Sequence, residues 1–260
     1  MNSTTNNNDD DDDTMFNSDM FVNRDYVKKK IVVNNIDINV YLLNSAATDY
    51  DLTGQVIWPA ASMLTHYIVN DVDRYSNDNK VLEVGSGVGI CGMFLARLGK
   101  QCVMSDYHDV VLELLEKNVQ QSNDDGYPIE MLKLDWGNQE DIATLKQAST
   151  GGDGYDTIIG SDVVYWRTSI DPLFNTINQL LSHRDHAQFI LCYQSRSTQT
   201  DEYLLEMAIK YGFAFEPLDP SAIIQSTTSS LGLQSYDEYQ LSVMRFIVFK
   251  RSSNKQQQSS

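Results

Sequence analysis

Repeated strand–helix units predict an α/β fold: a mostly parallel seven-stranded sheet with helices on both faces, preceded by an N-terminal β-hairpin. Three observations carry this prediction. First, the short apolar strand Val81-Leu82-Glu83-Val84 runs through Gly85-Ser86-Gly87-Val88-Gly89 into an apolar helix over 90–98 that stops at Gly99. Second, strand and helix patterns keep alternating beyond it. Third, 30–33 and 36–42 flank Asn34-Asn35, a pair suited to positive φ, which is a hairpin signal.

In order along the chain, 60–70 reads as a short helix, followed by strand 80–84 and helix 90–98. Next come strand 101–105, helix 108–120, strand 129–134, helix 139–147 and strand 155–161. Helix 169–182, strand 187–193, helix 200–211 and strands 213–216 and 241–249 complete the series. Residues 1–25, with Asn6-Asn7-Asn8 and Asp9 to Asp13, read as a disordered leader, because a polar, like-charged run buries too little apolar surface to order itself. Residues 26–250 form the expected folded domain and 251–260 a polar tail.

Composition narrows the function. A net charge of −17 and a pI near 4.4 exclude nucleic acid as the expected partner and favour one with a basic surface. Cys91, Cys102 and Cys192 form no C-x-x-C pair and sit in apolar contexts, which predicts reduced core residues, no metal site and a cytoplasmic or nuclear setting. No apolar run approaches the ~20 residues of a membrane span, and no hydrophobic signal segment is seen.

The glycines specify a backbone that approaches a ligand closely at a strand-to-helix turn, where N–H groups face outward. Two registers are available. Gly87-x-Gly89-x-x-Gly92, with Asp106 in the next strand, satisfies a dinucleotide fingerprint. Glu83-x-Gly85-x-Gly87-x-Gly89 has the form used for S-adenosylmethionine. The second fits better, because an acid inside the strand suits a ligand with a cationic amino-acid end and no pyrophosphate.

In a parallel sheet the ligand lies beyond the carboxyl ends of the strands. Asp106, Asp135-Trp136 and Ser161-Asp162-Val163-Val164-Tyr165 stand at successive strand ends. Asp106 can accept ribose hydroxyls, Asp135 an adenine amino group, and Trp136 can cover a ring face. Helix capping is the competing reading for both aspartates, and recurrence at consecutive strand ends favours a shared ligand.

With these residues assembled, the chain resembles the seven-β-strand protein-lysine methyltransferases of methyltransferase family 16, the methyltransferase-like 21 type. The resemblance rests on Val56-Ile57-Trp58-Pro59-Ala60-Ala61, Leu82 to Gly89, Ser105-Asp106, Leu134-Asp135-Trp136-Gly137 and Asp162-Val163-Val164-Tyr165, spanning about 31–250. It implies a Rossmann-like class I methyltransferase sandwich with S-adenosylmethionine as cofactor. It also implies roles: Trp58 near the cofactor, Glu83, Gly85, Ser86 and Gly87 around its methionine part, Asp106 on the ribose, Asp135 and Trp136 around adenine, and Ser161 lining the site. Asp162 and Tyr165 match a D-x-x-Y motif set beside the target lysine. The expected partner is a protein with an accessible lysine, basic or abundant in the cytosol, met by a monomeric enzyme.

A lysine of pKa ~10.4 must lose about 4 to 5 kcal/mol of protonation preference at pH 7 before it attacks. A lone carboxylate favours the cation, so Asp162 is assigned to capture and positioning of the incoming ammonium, and Tyr165 to a hydrogen bond or the channel wall. His108 is expected to pack at a helix start, and Arg196 to form a structural ion pair. The alternative function is a class I methyltransferase acting on a small molecule or another protein side chain.

Overall fold

The computed structural model describes residues 22–45, 50–75, 80–224, 230–231 and 236–252. Strands β1 (Val27–Val33) and β2 (Ile36–Leu42) pair antiparallel through the predicted turn, with Asn34 at φ 48° and Asn35 at φ 63°. This is the backbone a two-residue hairpin needs, and asparagine tolerates it.

The main sheet comprises β3 (Val81–Val84), β4 (Cys102–Asp106), β5 (Glu130–Lys133), β6 (Thr157–Ser161), β7 (Gln188–Gln194), β8 (Phe213–Leu218) and β9 (Met244–Arg251). Its order is β5-β4-β3-β6-β7-β9-β8, parallel except for β9, which runs antiparallel to both neighbours. Strand order reverses at β3, so the crevice for a ligand lies over the carboxyl end of that strand.

The helices are α1 (Pro59–Asn70), α2 (Ile90–Arg97), α3 (Asp109–Asp124), α4 (Gln139–Ala148), α5 (Arg167–Leu180), α6 (Thr198–Lys210), α7 (Pro220–Ile224) and α8 (Glu238–Val243). Two cores lie on opposite faces. Residues of α1, α2, α3 and the hairpin pack on one, and those of α4, α5 and α6 on the other. Strand β7 feeds them alternately: Phe189 and Leu191 enter one core, Ile190 and Cys192 the other. Buried Asn118 of α3 fastens the hairpin, donating to the Tyr41 and Val88 carbonyls at 2.9 and 2.8 Å and accepting from Tyr41 N–H at 2.7 Å.

Three expectations are corrected. The strand expected over 241–249 begins at Met244, because Asp237 and Gln240 form a reciprocal capping box that starts α8 at Glu238. Helix α7 and a 3-10 turn at Tyr50–Gln55 were not foreseen, since neither is long enough to show periodicity. Helix α3 continues past residue 120 to Asp124.

The Asn/Asp tracts and the end of the polar tail lie outside the described residues. Just after the leader's tracts, Arg24 pairs with Glu113 of α3 at 3.0 Å. All three cysteines are free and buried. Among the described residues, no helix is long and apolar enough to cross a membrane.

Candidate active site

A cavity of about 330 Å³ opens over the carboxyl ends of β3, β4 and β6, within the size range of small-molecule sites. All eleven residues expected at the site line it: Trp58, Glu83, Gly85, Ser86, Gly87, Asp106, Asp135, Trp136, Ser161, Asp162 and Tyr165. Its chemistry is one-sided. Glu83, Asp106, Asp135 and Asp162 contribute four carboxyl groups, whereas among the described residues no lysine, arginine or histidine lines it.

The floor is the glycine turn. Gly87 has φ 53°, and a Cβ there would lie 2.8 Å from the carbonyl oxygen of Gly54, so the 3-10 turn crosses directly over the glycine. Thr53, Gly54 and Val56 thereby form a cavity wall that sequence reasoning missed. The indole N–H of Trp58 donates to the Thr53 carbonyl at 2.8 Å and holds the wall in place.

Asp106 ends β4, and its carboxylate organises the turn. One oxygen accepts from Gly87 N–H at 3.0 Å, and the other accepts from Tyr107 N–H at 2.8 Å and His108 N–H at 3.4 Å. The cap of α3 is His108, whose Nδ1 accepts from Val110 N–H at 3.3 Å. The capping alternative for Asp106 is thus set aside, and His108 is a cap where packing was expected. Asp135 does not cap α4 either, because Asn138 accepts from Glu140 and Asp141 N–H groups there. The Ser86 hydroxyl faces inward, donating to the Glu83 carbonyl at 3.3 Å and accepting from Ser105 N–H at 3.0 Å. It ties the turn to β4, together with the Ser86 N–H, which donates to the Ser105 carbonyl at 2.8 Å.

Glu83 is 1% exposed, and its carboxylate accepts from Gly92 N–H at 3.0 Å in the first turn of α2. Burial raises its pKa to about 7, opposed by the bonds from Gly92, Cys91 and Ser86. The folded state therefore holds this proton more tightly than the unfolded chain. Stability from this group is full below the ordinary value of 4.5 and is lost as pH rises to about 7. Urea unfolding of Glu83→Gln is expected to lack this decline, which amounts to about 3 kcal/mol. Parallel pH curves for both proteins would reject the assignment.

At the mouth, Asp162 adopts φ 52°, a left-handed conformation rare outside glycine. One carboxylate oxygen accepts from Gln194 N–H at 2.9 Å, the other from Ala60 N–H at 3.2 Å. Helix α1 has no side-chain cap from Trp58, so Asp162 caps it from another element. Burial raises the Asp162 pKa, while the two backbone bonds and Arg196 act against the rise. Tyr165 and Trp166 are exposed and meet edge to face at 5.0 Å between ring centroids. The Arg196 guanidinium lies 5.3 Å from the Tyr165 centroid, a cation–π contact where an ion pair was expected.

Residues 25–210 match the family model described as lysine methyltransferase. Among curated relatives, the protein N-lysine methyltransferase METTL21A of Xenopus tropicalis is 30% identical over 155 residues, covering 58% of this chain and 65% of that protein. The histone-arginine methyltransferase METTL23 of Xenopus laevis is 30% identical over 147 residues, 55% of this chain and 58% of the relative. The human protein-lysine N-methyltransferase EEF2KMT is 30% identical over 155 residues, 55% of this chain and 45% of the relative. The chain thus spans less than two thirds of the length of each of these three. In fold it is similar to SMU.776, described as a candidate methyltransferase complexed with SAH (TM-score 0.55, 15% identity, 86% of this chain and 56% of that one). It is likewise similar to the magnesium protoporphyrin IX methyltransferase of Synechocystis PCC 6803 with bound SAM (TM-score 0.50, 17% identity, 80% and 87%). With the family match covering most of its length, the chain belongs to the lysine methyltransferase family.

Proposed function

We propose that the chain is an S-adenosylmethionine-dependent enzyme that transfers methyl groups to a lysine side chain of a protein. The observation that carries this reading is the cavity lined by four carboxyl groups and, among the described residues, by no basic side chain. A pyrophosphate would be repelled there, whereas a ligand with a sulfonium and an ammonium is attracted. The residues present fit such a group. Glu83 and the turn from Gly85 to Gly87 would hold its amino-acid end, Asp106 has an acceptor site left, on the oxygen that holds Gly87 N–H, for a ribose hydroxyl, and Asp135 with Trp136 would enclose the base.

When bound, the cofactor supplies an electrophilic methyl group. Asp162 and Tyr165 then guide an amine toward it. The Asp162 carboxylate attracts the approaching side chain electrostatically, the Tyr165 ring walls the approach, and Trp166 narrows the opening. A protein acceptor of basic surface suits the acidic chain. Free buried cysteines agree with a cytoplasmic or nuclear setting. A monomeric enzyme with its folded domain over 26–250 completes the reading.

The test is incubation of the purified chain with methyl-labelled S-adenosylmethionine and whole-cell lysate, followed by mass spectrometry of the labelled protein. Label on lysine, lost when that lysine is changed to arginine, is the expected result. Label on arginine instead would favour the activity named for METTL23, and label confined to small molecules would overturn the protein-acceptor reading. In calorimetry, Asp106→Ala is expected to weaken cofactor binding by about 1–3 kcal/mol, the scale of hydrogen bonds to a charged group. Unchanged affinity would remove Asp106 from the ribose site, and comparable binding of NAD would overturn the S-adenosylmethionine register of the glycine turn.

A further inference from the structure

We propose that Arg196 is a positioning residue that offsets the charge of Asp162 at the cavity mouth, so that the acceptor amine enters neutral. The proposal rests on the lysine reading above and deepens it. A carboxylate beside the approach path attracts an ammonium but also keeps it protonated, and a protonated amine has no lone pair for attack. Capture and reactivity therefore conflict if Asp162 acts alone.

The geometry supplies the counterweight. Gln194, whose N–H holds Asp162, ends β7, and Arg196 follows two residues later with its guanidinium 5.3 Å from the Tyr165 centroid. That ring lines the mouth, so the cation stands against a ring the amine must pass while lying outside the cavity lining itself. The neighbouring arginines are directed elsewhere: Arg167 lies over Tyr203 at 4.4 Å, and Arg245 pairs with Asp201 at 3.1 Å. The other ionisable groups facing the path are Glu83, Asp106 and Asp135 deeper in the cavity, with Tyr107 at its edge. Tyr236 lies behind Asp162 and donates to the Pro59 carbonyl at 3.2 Å. Among the described residues Arg196 is thus the positive charge beside the mouth; its field falls on Asp162 and would reach an amine passing the Tyr165 ring.

The step balances without a further reagent. The ammonium first loses a proton to water. The neutral nitrogen then forms the N–C bond as the S–C bond breaks, the S–C electron pair stays on sulfur, and the positive charge passes to nitrogen. Deprotonation removes a full charge from the mouth, whereas the transition state restores only part of one. Arg196 therefore helps where the lysine would otherwise be protonated and slightly opposes attack where it is already neutral.

The test uses the acceptor protein identified by lysate labelling, purified, with kcat measured at saturating acceptor from pH 6.5 to 10.5. For Arg196→Gln, kcat near pH 7 is expected to fall about tenfold. The midpoint of the rising limb should move up by about one pH unit, the lower end of the effect of a charge ~4–6 Å away. Above the limb the variant should equal or exceed the parent, so the profiles cross. Arg196→Lys, which keeps the charge, should restore most of the parent profile, and SAH affinity by calorimetry should stay within twofold in both variants. An unmoved limb, or a loss uniform across pH, would overturn the proposal while leaving the lysine reading intact. Absence of any lysine acceptor for the unmodified chain would overturn both.

Discussion

Replacing Asp162 is expected to cut methyl transfer steeply while leaving most cofactor affinity in place. The carboxylate bonds the N–H groups of Ala60 and Gln194 and none of the glycine turn, so its loss is expected to act on the acceptor. The choice of variant matters because Asp162 also supports structure. Alanine would orphan the N–H groups of Ala60 and Gln194, at about 1–3 kcal/mol each, and would place a Cβ residue without a compensating side chain at φ 52°. Asparagine tolerates that backbone and keeps one acceptor oxygen while removing the charge. Asp162→Asn should therefore fold, bind SAH within a few-fold of the parent, and lose on the order of 10²-fold in turnover, the scale of a misplaced reactant. Tyr165→Phe should lose far less, since the ring wall survives. Wild-type turnover in Asp162→Asn would show that this residue is a cap and nothing more.

The double duty of Asp162 shows how far the sequence could be read. Position relative to the sheet was legible, because strand ends follow from apolar runs and glycine punctuation, and a parallel sheet places its ligand there. Hence Asp106, Asp135 and Ser161 reach one cavity although they are far apart in sequence. Long-range hydrogen bonds were not legible. Nothing in Trp58-Pro59-Ala60 indicates that the cap of α1 comes from residue 162, and nothing near Gly54 announces that its carbonyl rests over Gly87. Such contacts depend on how loops cross, which residue periodicity does not encode. Glu83 is the intermediate case. Its place beside the glycines was read, whereas its bond to Gly92 N–H and its raised pKa follow only from burial in three dimensions.

Gly87→Val is expected to remove cofactor binding outright, with a loss of at least about 10²-fold, or roughly 3 kcal/mol. Two independent costs meet at this position. A β-branched residue at φ 53° is strained, and its Cβ would lie 2.8 Å from the Gly54 carbonyl oxygen, a backbone atom that cannot rotate away. Relief requires either lifting the 3-10 turn, which takes Thr53 from Trp58, or withdrawing Gly87 N–H from Asp106. Either movement dismantles one wall of the cavity. Gly99 supplies the control, since it has φ 76° but nothing within 4 Å of an added Cβ. Gly99→Ala should therefore show the backbone strain alone, a loss of about 1–2 kcal/mol in urea unfolding with SAH affinity unchanged. If calorimetry finds Gly87→Val binding SAH as tightly as Gly99→Ala does, the close crossing of Gly54 over the glycine turn plays no part in forming the cofactor site.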